Sequence, residues 1–289
     1  MLYSKFHIFS NILYQRLRQI SNQSNILNYI IRFVQFFVKR PDQKSQILIA
    51  RALYDYWKGN KKSKLYIHQN CLFPFFNKYT SKKDKGTKLR FNGAKFEVDL
   101  DRYFRELVDL YGIEKRLINL AKGEILDIGS NTGYYMSELS KKGNAVGIDI
   151  SEEIVKFAHK CGISNCYVAD IFRLKTNKTF DTITLVECDL GIAGNIRYLK
   201  RLLKKLYSLL NTGGQILTVM IHVRTLKYWH VMYTFEYRGY FGIPFRWVYI
   251  NLPFFFKLCR EVGFKPSSIE SETVNQKQLY LIRLIKNSR

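Results

Sequence analysis

Between residues 123 and 221 the chain alternates short apolar runs with amphipathic stretches. The apolar runs are Glu124–Ile128, Ala145–Ile148, Cys166–Ala169, Phe180–Val186 and Gln215–Ile221. Their length and β-branched content predict buried strands. Three stretches between them have helical spacing: Gly133–Lys142, Ser151–Gly162 and Ile196–Leu210. Gly143 is expected to stop the first. Ser151 can cap the second, with Glu152 and Glu153 in its first turn and Gly162 at its end. Asn211-Thr212-Gly213-Gly214 ends the third. Strands alternating with helices predict a parallel sheet between helical layers, which binds ligands at the carboxyl ends of its strands.

The flanks follow other periods. Residues 1–40 place Phe6, Phe9, Leu13, Leu17 and Ile20 on one helical face, and Pro41 breaks the pattern. Gln43–Trp57 reads as a second helix, and Leu65-Tyr66-Ile67 as a short strand. Lys88–Phe91 and Lys95–Val98 flank Asn92-Gly93, a two-residue hairpin signal. Arg105–Ala121 has helical spacing. After residue 225 comes an aromatic-rich stretch, with alternating runs at Val231–Tyr237 and Phe245–Ile250 around Arg238-Gly239. It predicts a β-hairpin inserted after the fifth strand. Asn251 and Pro253 then start a helix that ends at Gly263. The segments Ser267–Ser271 and Gln278–Ile285 can close the sheet as an antiparallel pair. The expected organisation is a basic helical extension (1–60), a hairpin or lid region (61–110) and a ligand-binding core (111–289) with an insertion at 226–250.

Charge and cysteine content narrow the setting. The 289 residues carry a formal charge of +24, which attracts phosphates, nucleic acids or anionic surfaces, although a solvated Lys-rich surface would look the same. The first acidic residue is Asp42. Ile26–Val38 is apolar but contains Arg32 and Gln35, and is shorter than the roughly 20 residues of a spanning helix. No secretory signal is recognisable, whereas residues 1–40 fit an organelle transit peptide, a peripheral membrane helix, a lid or a dimer arm. Five cysteines without a CxxC pair argue against a disulfide framework or a zinc cluster, and for a reducing, cytoplasmic setting with no metal.

The chemistry concentrates in the turn after the first predicted strand. Gly129 lets the backbone turn, and Gly133 lets the next segment pack closely. Amides at the following helix start offer donors to an anion. Asp149 follows Asp127 by 22 residues, at the end of the second strand, where a carboxylate can accept from ribose hydroxyls. The spacing Gly129-x-x-x-Gly133 lacks the middle glycine of a dinucleotide loop, which disfavours a dehydrogenase. Asn131 stands there instead, a residue that tolerates left-handed backbone.

These residues resemble the class I S-adenosylmethionine-dependent methyltransferases. Asp127-Ile128-Gly129-Ser130-Asn131-Thr132-Gly133 is similar to the family's first motif, and Gly147-Ile148-Asp149-Ile150-Ser151 to its second. Val168-Ala169-Asp170-Ile171-Phe172 resembles the third, Phe180-Asp181-Thr182-Ile183 the fourth strand, and Leu209–Gly214 the turn before the fifth. The resemblance implies a Rossmann-like α/β fold: a mostly parallel seven-stranded sheet with an antiparallel last strand and helices on both faces. It implies S-adenosylmethionine as cofactor, with Asp149 on the ribose, Asp170 on the adenine amine and Ile171 flanking the ring. Asp127, Gly129, Ser130, Asn131, Gly133, Tyr134, Ile150 and Glu187 complete the expected cofactor set. Tyr103-Phe104-Arg105, Ile113-Glu114, Leu190–Gly194 and Phe245–Tyr249 resemble a bacterial subfamily of undefined substrate, over roughly 41–285. The chain departs from it at Glu187-Cys188-Asp189, where Asn-Gly is expected.

Methyl transfer asks mainly for alignment and exclusion of water. His222, Glu187 and Asp189 follow the fourth and fifth strands and are the catalytic candidates, with His222 the base by intrinsic acidity. Cys188 fits a structural thiol better than a nucleophile. Tyr237, Trp247 and Tyr249 are the candidate acceptor-binding residues. The function that fits best is methyl transfer to O or N of a small molecule. The alternatives are an RNA- or tRNA-modifying enzyme using the basic N-terminal region, and a catalytically silent cofactor-binding fold.

Overall fold

A computed structural model describes residues 38–71, 94–187, 189–221, 226–275 and 277–287. The helical reading of residues 1–37, the Asn92-Gly93 turn, Cys188 and His222 lie outside the described residues. The chain forms two sheets. The larger has seven strands in the order β11-β12-β7-β6-β3-β4-β5. Here β3 is Gly123–Ile128, β4 Gly143–Asp149, β5 Cys166–Val168, β6 Phe180–Leu185 and β7 Leu210–Ile221. These five pair in parallel, whereas β12 (Lys277–Lys286) runs antiparallel to both β7 and β11 (Phe264–Val274). The parallel sheet expected from the alternating pattern is therefore present, closed by the antiparallel pair.

Helices cover this sheet for reasons visible in the chain. In α5 (Ile196–Leu209), Leu199, Leu202, Leu203, Leu206 and Leu209 are buried, while Arg197, Lys200, Arg201 and Lys204 face solvent. Each buried leucine contributes about 1.5–3 kcal/mol relative to exposure. Asn195 caps α5 by accepting from the Tyr198 amide at 2.9 Å. Ser151 caps α4 (Glu152–Lys160), and Asn251 caps α6 (Leu252–Val262), which Gly263 ends at φ 110°. Among the described residues, no helix is long and apolar enough to cross a membrane. Cys161, Cys166 and Cys259 are free thiols.

The second sheet has the order β10-β8-β1-β2, with the short β9 also pairing with β8. It joins β1 (Leu65–Cys71) and β2 (Ala94–Glu97) to β8 (Tyr228–Tyr237), β9 (Tyr240–Phe241) and β10 (Phe245–Ile250). The hairpin expected after the fifth strand exists, turning through Arg238 and Gly239 at φ 50° and 78°. It does not stand alone, because β1 pairs with β8 from Leu65↔Tyr237 onward. Helix α1 (Ile47–Trp57) packs its buried Leu48, Ile49, Leu53 and Ala52 against this sheet.

Two helices are shorter than expected. Arg105–Ala121 holds a 3-10 turn at Leu107–Asp109 and is α-helical only as α2 (Gly112–Leu120), where Glu114 accepts from the Tyr111 amide at 2.8 Å and caps the helix. The stretch predicted as helix from Gly133 to Lys142 holds only α3 (Met136–Ser140). Gly143 begins β4 rather than ending that helix. A Cβ on Gly143 would lie 2.0 Å from the Gly123 carbonyl oxygen, so the β3–β4 contact needs glycine. Gly143→Ala is expected to destabilise the fold by about 1–3 kcal/mol or more, because the obstructing atom is backbone. A lowered urea midpoint with an unchanged m-value is the signature to measure.

Candidate functional site

A cavity of about 480 Å³ opens between the two sheets, at the carboxyl ends of the parallel strands. Its floor is Asp127–Gly129, Asn131, Asp149, Ile150, Asp170, Ile171 and Glu187. Asn131 has φ 50°, with Gly129 and Gly133 at 80° and 79°. The left-handed turn expected of Asn131 is thus present. Its side-chain oxygen accepts from the Thr132 amide at 2.8 Å, a local bond that offsets part of the backbone cost. The Asn131 amide in turn donates to Asp149 Oδ2 at 3.2 Å, and the Ser151 amide to Asp149 Oδ1 at 2.9 Å. The Asp149 carboxylate therefore has a fixed orientation with acceptor capacity left over.

Asp127 and Asp149 are both buried, at 2% and 8% exposure. Burial pushes the Asp127 carboxyl up to about 6, against a hydrogen bond from the Thr184 hydroxyl at 2.6 Å, and the Asp149 charge adds to the rise. Burial also raises Asp149. Between the unfolded value near 3.9 and the folded value near 6, the folded state holds the extra proton. Stability therefore falls as pH rises through that window and is level above it. The cost to the ionised fold is on the order of 3 kcal/mol for Asp127.

A charged cluster marks the other end of the floor. Glu187 Oε1 accepts from Arg105 Nη2 at 2.7 Å, Arg102 Nη2 at 3.0 Å and the Tyr134 hydroxyl at 3.1 Å. Arg105 also donates to both oxygens of Glu114, at 3.0 Å each. Burial holds the Tyr134 phenol well above its ordinary value, so it serves as a donor. Arg102 Nε is buried with no partner among the described residues. Glu187 itself has φ 57°, unusual outside glycine and asparagine. That backbone explains why Asn is the easier residue there. In this chain two guanidinium groups hold a glutamate in the strained conformation.

The roof is the inner face of the second sheet. Ile67, Tyr233, Phe235, Phe245, Trp247 and Tyr249 line the cavity. The Tyr233 and Tyr249 hydroxyls are 2.6 Å apart, and Gln69 Nε2 is buried beside Tyr233 with no partner among the described residues. Trp247 lies directly over Gly191, where a Cβ would fall 1.8 Å from its Nε1.

Residues 125–214 match a family model described as a methyltransferase domain. The matched residues make up under a third of the chain. The whole fold extends the match. A Bacteroides fragilis S-adenosylmethionine-dependent methyltransferase, solved with S-adenosylhomocysteine, superposes with TM-score 0.69 at 22% identity, over 87% of this chain and 99% of that one. The sugar N-methyltransferase KedS8 from Streptoalloteichus sp. matches more loosely, with TM-score 0.47 at 14% identity over 68% and 96%. A methyltransferase from Clostridium acetobutylicum gives 0.44 at 18% over 65% and 92%. No curated protein matches by sequence. The fold is that of the class I methyltransferases.

Within this fold, Asp127, Gly129, Asn131, Tyr134, Asp149, Ile150, Asp170, Ile171 and Glu187 line the cavity. Ser130 and Gly133 stand behind it. Ser130 is 2% exposed against Gly147, and Gly133 leaves no room for a Cβ beside Ile163. Trp247 and Tyr249 are in the roof, but Tyr237 is not at the cavity. It is 1% exposed and its hydroxyl donates to Asp55 at 2.9 Å, because its place on β8 points it at α1. Asp189 begins a short 3-10 turn, Asp189–Ala193, beside the site. Arg40, Arg102 and Lys277 line the cavity without having been singled out from the sequence. The Tyr103-Phe104-Arg105 and Ile113-Glu114 stretches carried the only sequence signal for the arginine cluster. Asp127→Asn is expected to raise the melting temperature, and to raise it more near pH 7 than near pH 4, because it removes the buried charge. Thermal melts across that range check the sign.

Proposed function

We propose that this chain transfers the methyl group of S-adenosylmethionine to a small, largely apolar acceptor. The observation that carries the reading is the pair Asp149 and Asp170 at the ends of adjacent strands, beside a left-handed Gly129–Gly133 turn, all on one cavity floor. The S-adenosylhomocysteine held by the Bacteroides fragilis protein of the same fold agrees with it. The residues fit that group. Asp149 keeps free lone pairs for two ribose hydroxyls, Ile150 and Ile171 offer apolar sides for a purine, and Asp170 accepts from its amine. Arg102 lines the cavity, and its Nε, buried with no partner among the described residues, is a donor for an amino-acid carboxylate. Bound there, the cofactor supplies a methyl already activated by its sulfonium.

What remains for the protein is to orient the acceptor and exclude water. The roof of Ile67, Tyr233, Phe235, Phe245, Trp247 and Tyr249 suits a flat apolar face. Its polar atoms are few: the Tyr233–Tyr249 hydroxyl pair and the Trp247 indole N–H. They suit an acceptor with one or two hydroxyl or amine groups rather than a densely polar one. Glu187 Oε1 already accepts from three donors, so we assign Glu187 to organising the cofactor end rather than to taking a proton. His222 and Asp189 remain the candidates for that step.

A second reading has one observation behind it. The solvent face of α5 carries Arg197, Lys200, Arg201 and Lys204 with no acidic residue on the helix. Such a face could meet nucleic acid. Binding to tRNA that weakens steeply with salt would favour that reading.

Calorimetry with S-adenosylhomocysteine tests the cofactor. Wild-type protein is expected to bind, and Asp149→Ala to bind at least about tenfold more weakly, since each charged hydrogen bond contributes about 1.5–3 kcal/mol. No wild-type binding would overturn the reading. Once an acceptor is found by screening for S-adenosylhomocysteine release, Tyr249→Ala should raise its KM and leave the affinity for S-adenosylhomocysteine unchanged. An equal loss of both would place Tyr249 outside the acceptor site.

A further inference from the structure

The Asp170 end of the cavity is completed by a residue from outside residues 125–214. Arg40 lines the cavity, and its Nη2 donates to Asp170 Oδ2 at 2.5 Å. Its guanidinium lies 4.2 Å from the centre of the Phe172 ring. The two side chains are 18% and 16% exposed, so the ion pair is largely shielded from solvent. The backbone that carries Arg40 is held in place. The Arg246 amide donates to the Lys39 carbonyl at 2.8 Å, which ties this segment to β10. On its other side the segment lies against Gly194, where a Cβ would come within 3.0 Å of the Arg40 Cβ. Asp42 then caps the turn that leads into α1.

Asp170 Oδ1 accepts from the Phe172 amide at 3.0 Å. Its carboxylate is therefore gripped by one donor on each oxygen, which sets its orientation. A carboxylate has about four lone-pair sites, so two remain for a ligand. Such a group accepts from an amine and repels a carbonyl oxygen.

Resting on the cofactor reading above, we propose that Arg40 is a positioning residue of the base subsite, holding Asp170 for the exocyclic amine of adenine and closing that end of the cavity. The segment before α1 is then part of the cofactor site. Its consequence is discrimination between a 6-amino and a 6-oxo purine.

The test is calorimetry on the full chain with S-adenosylhomocysteine and with its 6-oxo analogue, S-inosylhomocysteine. Arg40→Met is expected to weaken S-adenosylhomocysteine about tenfold, or about 1.4 kcal/mol. It should also narrow the ratio between the two ligands, because Asp170 Oδ2 loses its close donor and keeps only the exposed Arg173 at 3.7 Å. Arg40→Lys should recover part of both, since an ammonium can replace one donor but not the planar fork. A general structural defect would weaken the two ligands alike and leave the ratio unchanged, which would overturn the proposal. Unchanged or tighter S-adenosylhomocysteine binding in Arg40→Met would also overturn it, the latter by making Arg40 a plug that competes for Asp170. Absence of binding by the wild type would sink the cofactor reading and this proposal together, whereas failure in the variants alone leaves that reading standing.

Discussion

Asp127 and Asp149 are buried near each other at the carboxyl ends of two adjacent parallel strands, with no cation among their hydrogen-bond partners in the described residues. Burying two carboxylates in this way is costly, and the surrounding structure is arranged to keep the cost tolerable. A hydroxyl from β6 reaches Asp127, and backbone amides from the two loops reach Asp149. The loop must turn left-handed to present its amide, which is why glycine and asparagine occupy those positions. Destabilising charges persist where they serve a ligand, and this pair sits at the floor of the cavity.

The rest of the cavity divides by polarity. Charged groups collect along the floor and at its two ends: Asp170 with Arg40, and Glu187 with Arg102 and Arg105. The roof is aromatic. On the proposed reading, the nucleoside and amino-acid ends of the cofactor meet the two charged ends of the floor, and the acceptor meets the roof. The dividing line follows the two sheets. The parallel sheet delivers loop carboxylates at its strand ends, while the antiparallel sheet presents alternate side chains on one face.

Much of the lower sheet was legible because its signals are local. Apolar runs of strand length, the Ser151 and Asn251 caps and the left-handed Asn131 each depend on a few consecutive residues. Where expectation and structure part, a distant residue intervened. Gly143 reads as a helix stop in sequence but is consumed by contact with Gly123 across β3 and β4. Tyr237 belongs to an aromatic run like Tyr233 and Tyr249, yet its position on β8 turns it toward α1 and Asp55. The arginine cluster on Glu187 draws on residues from Arg102 to Glu187, and no spacing rule connects them.

The order of strands and helices, the glycine and asparagine turn and the two strand-end carboxylates were set by the chain itself, since hydrophobic period and backbone sterics act over neighbouring residues. The pairing of β1 with β8 into one roof, the grip of Arg40 on Asp170 and the choice of which aromatics face the cavity were decided by the tertiary structure. These depend on strand register and on which charges are brought together out of water, and neither is written in any local stretch of residues.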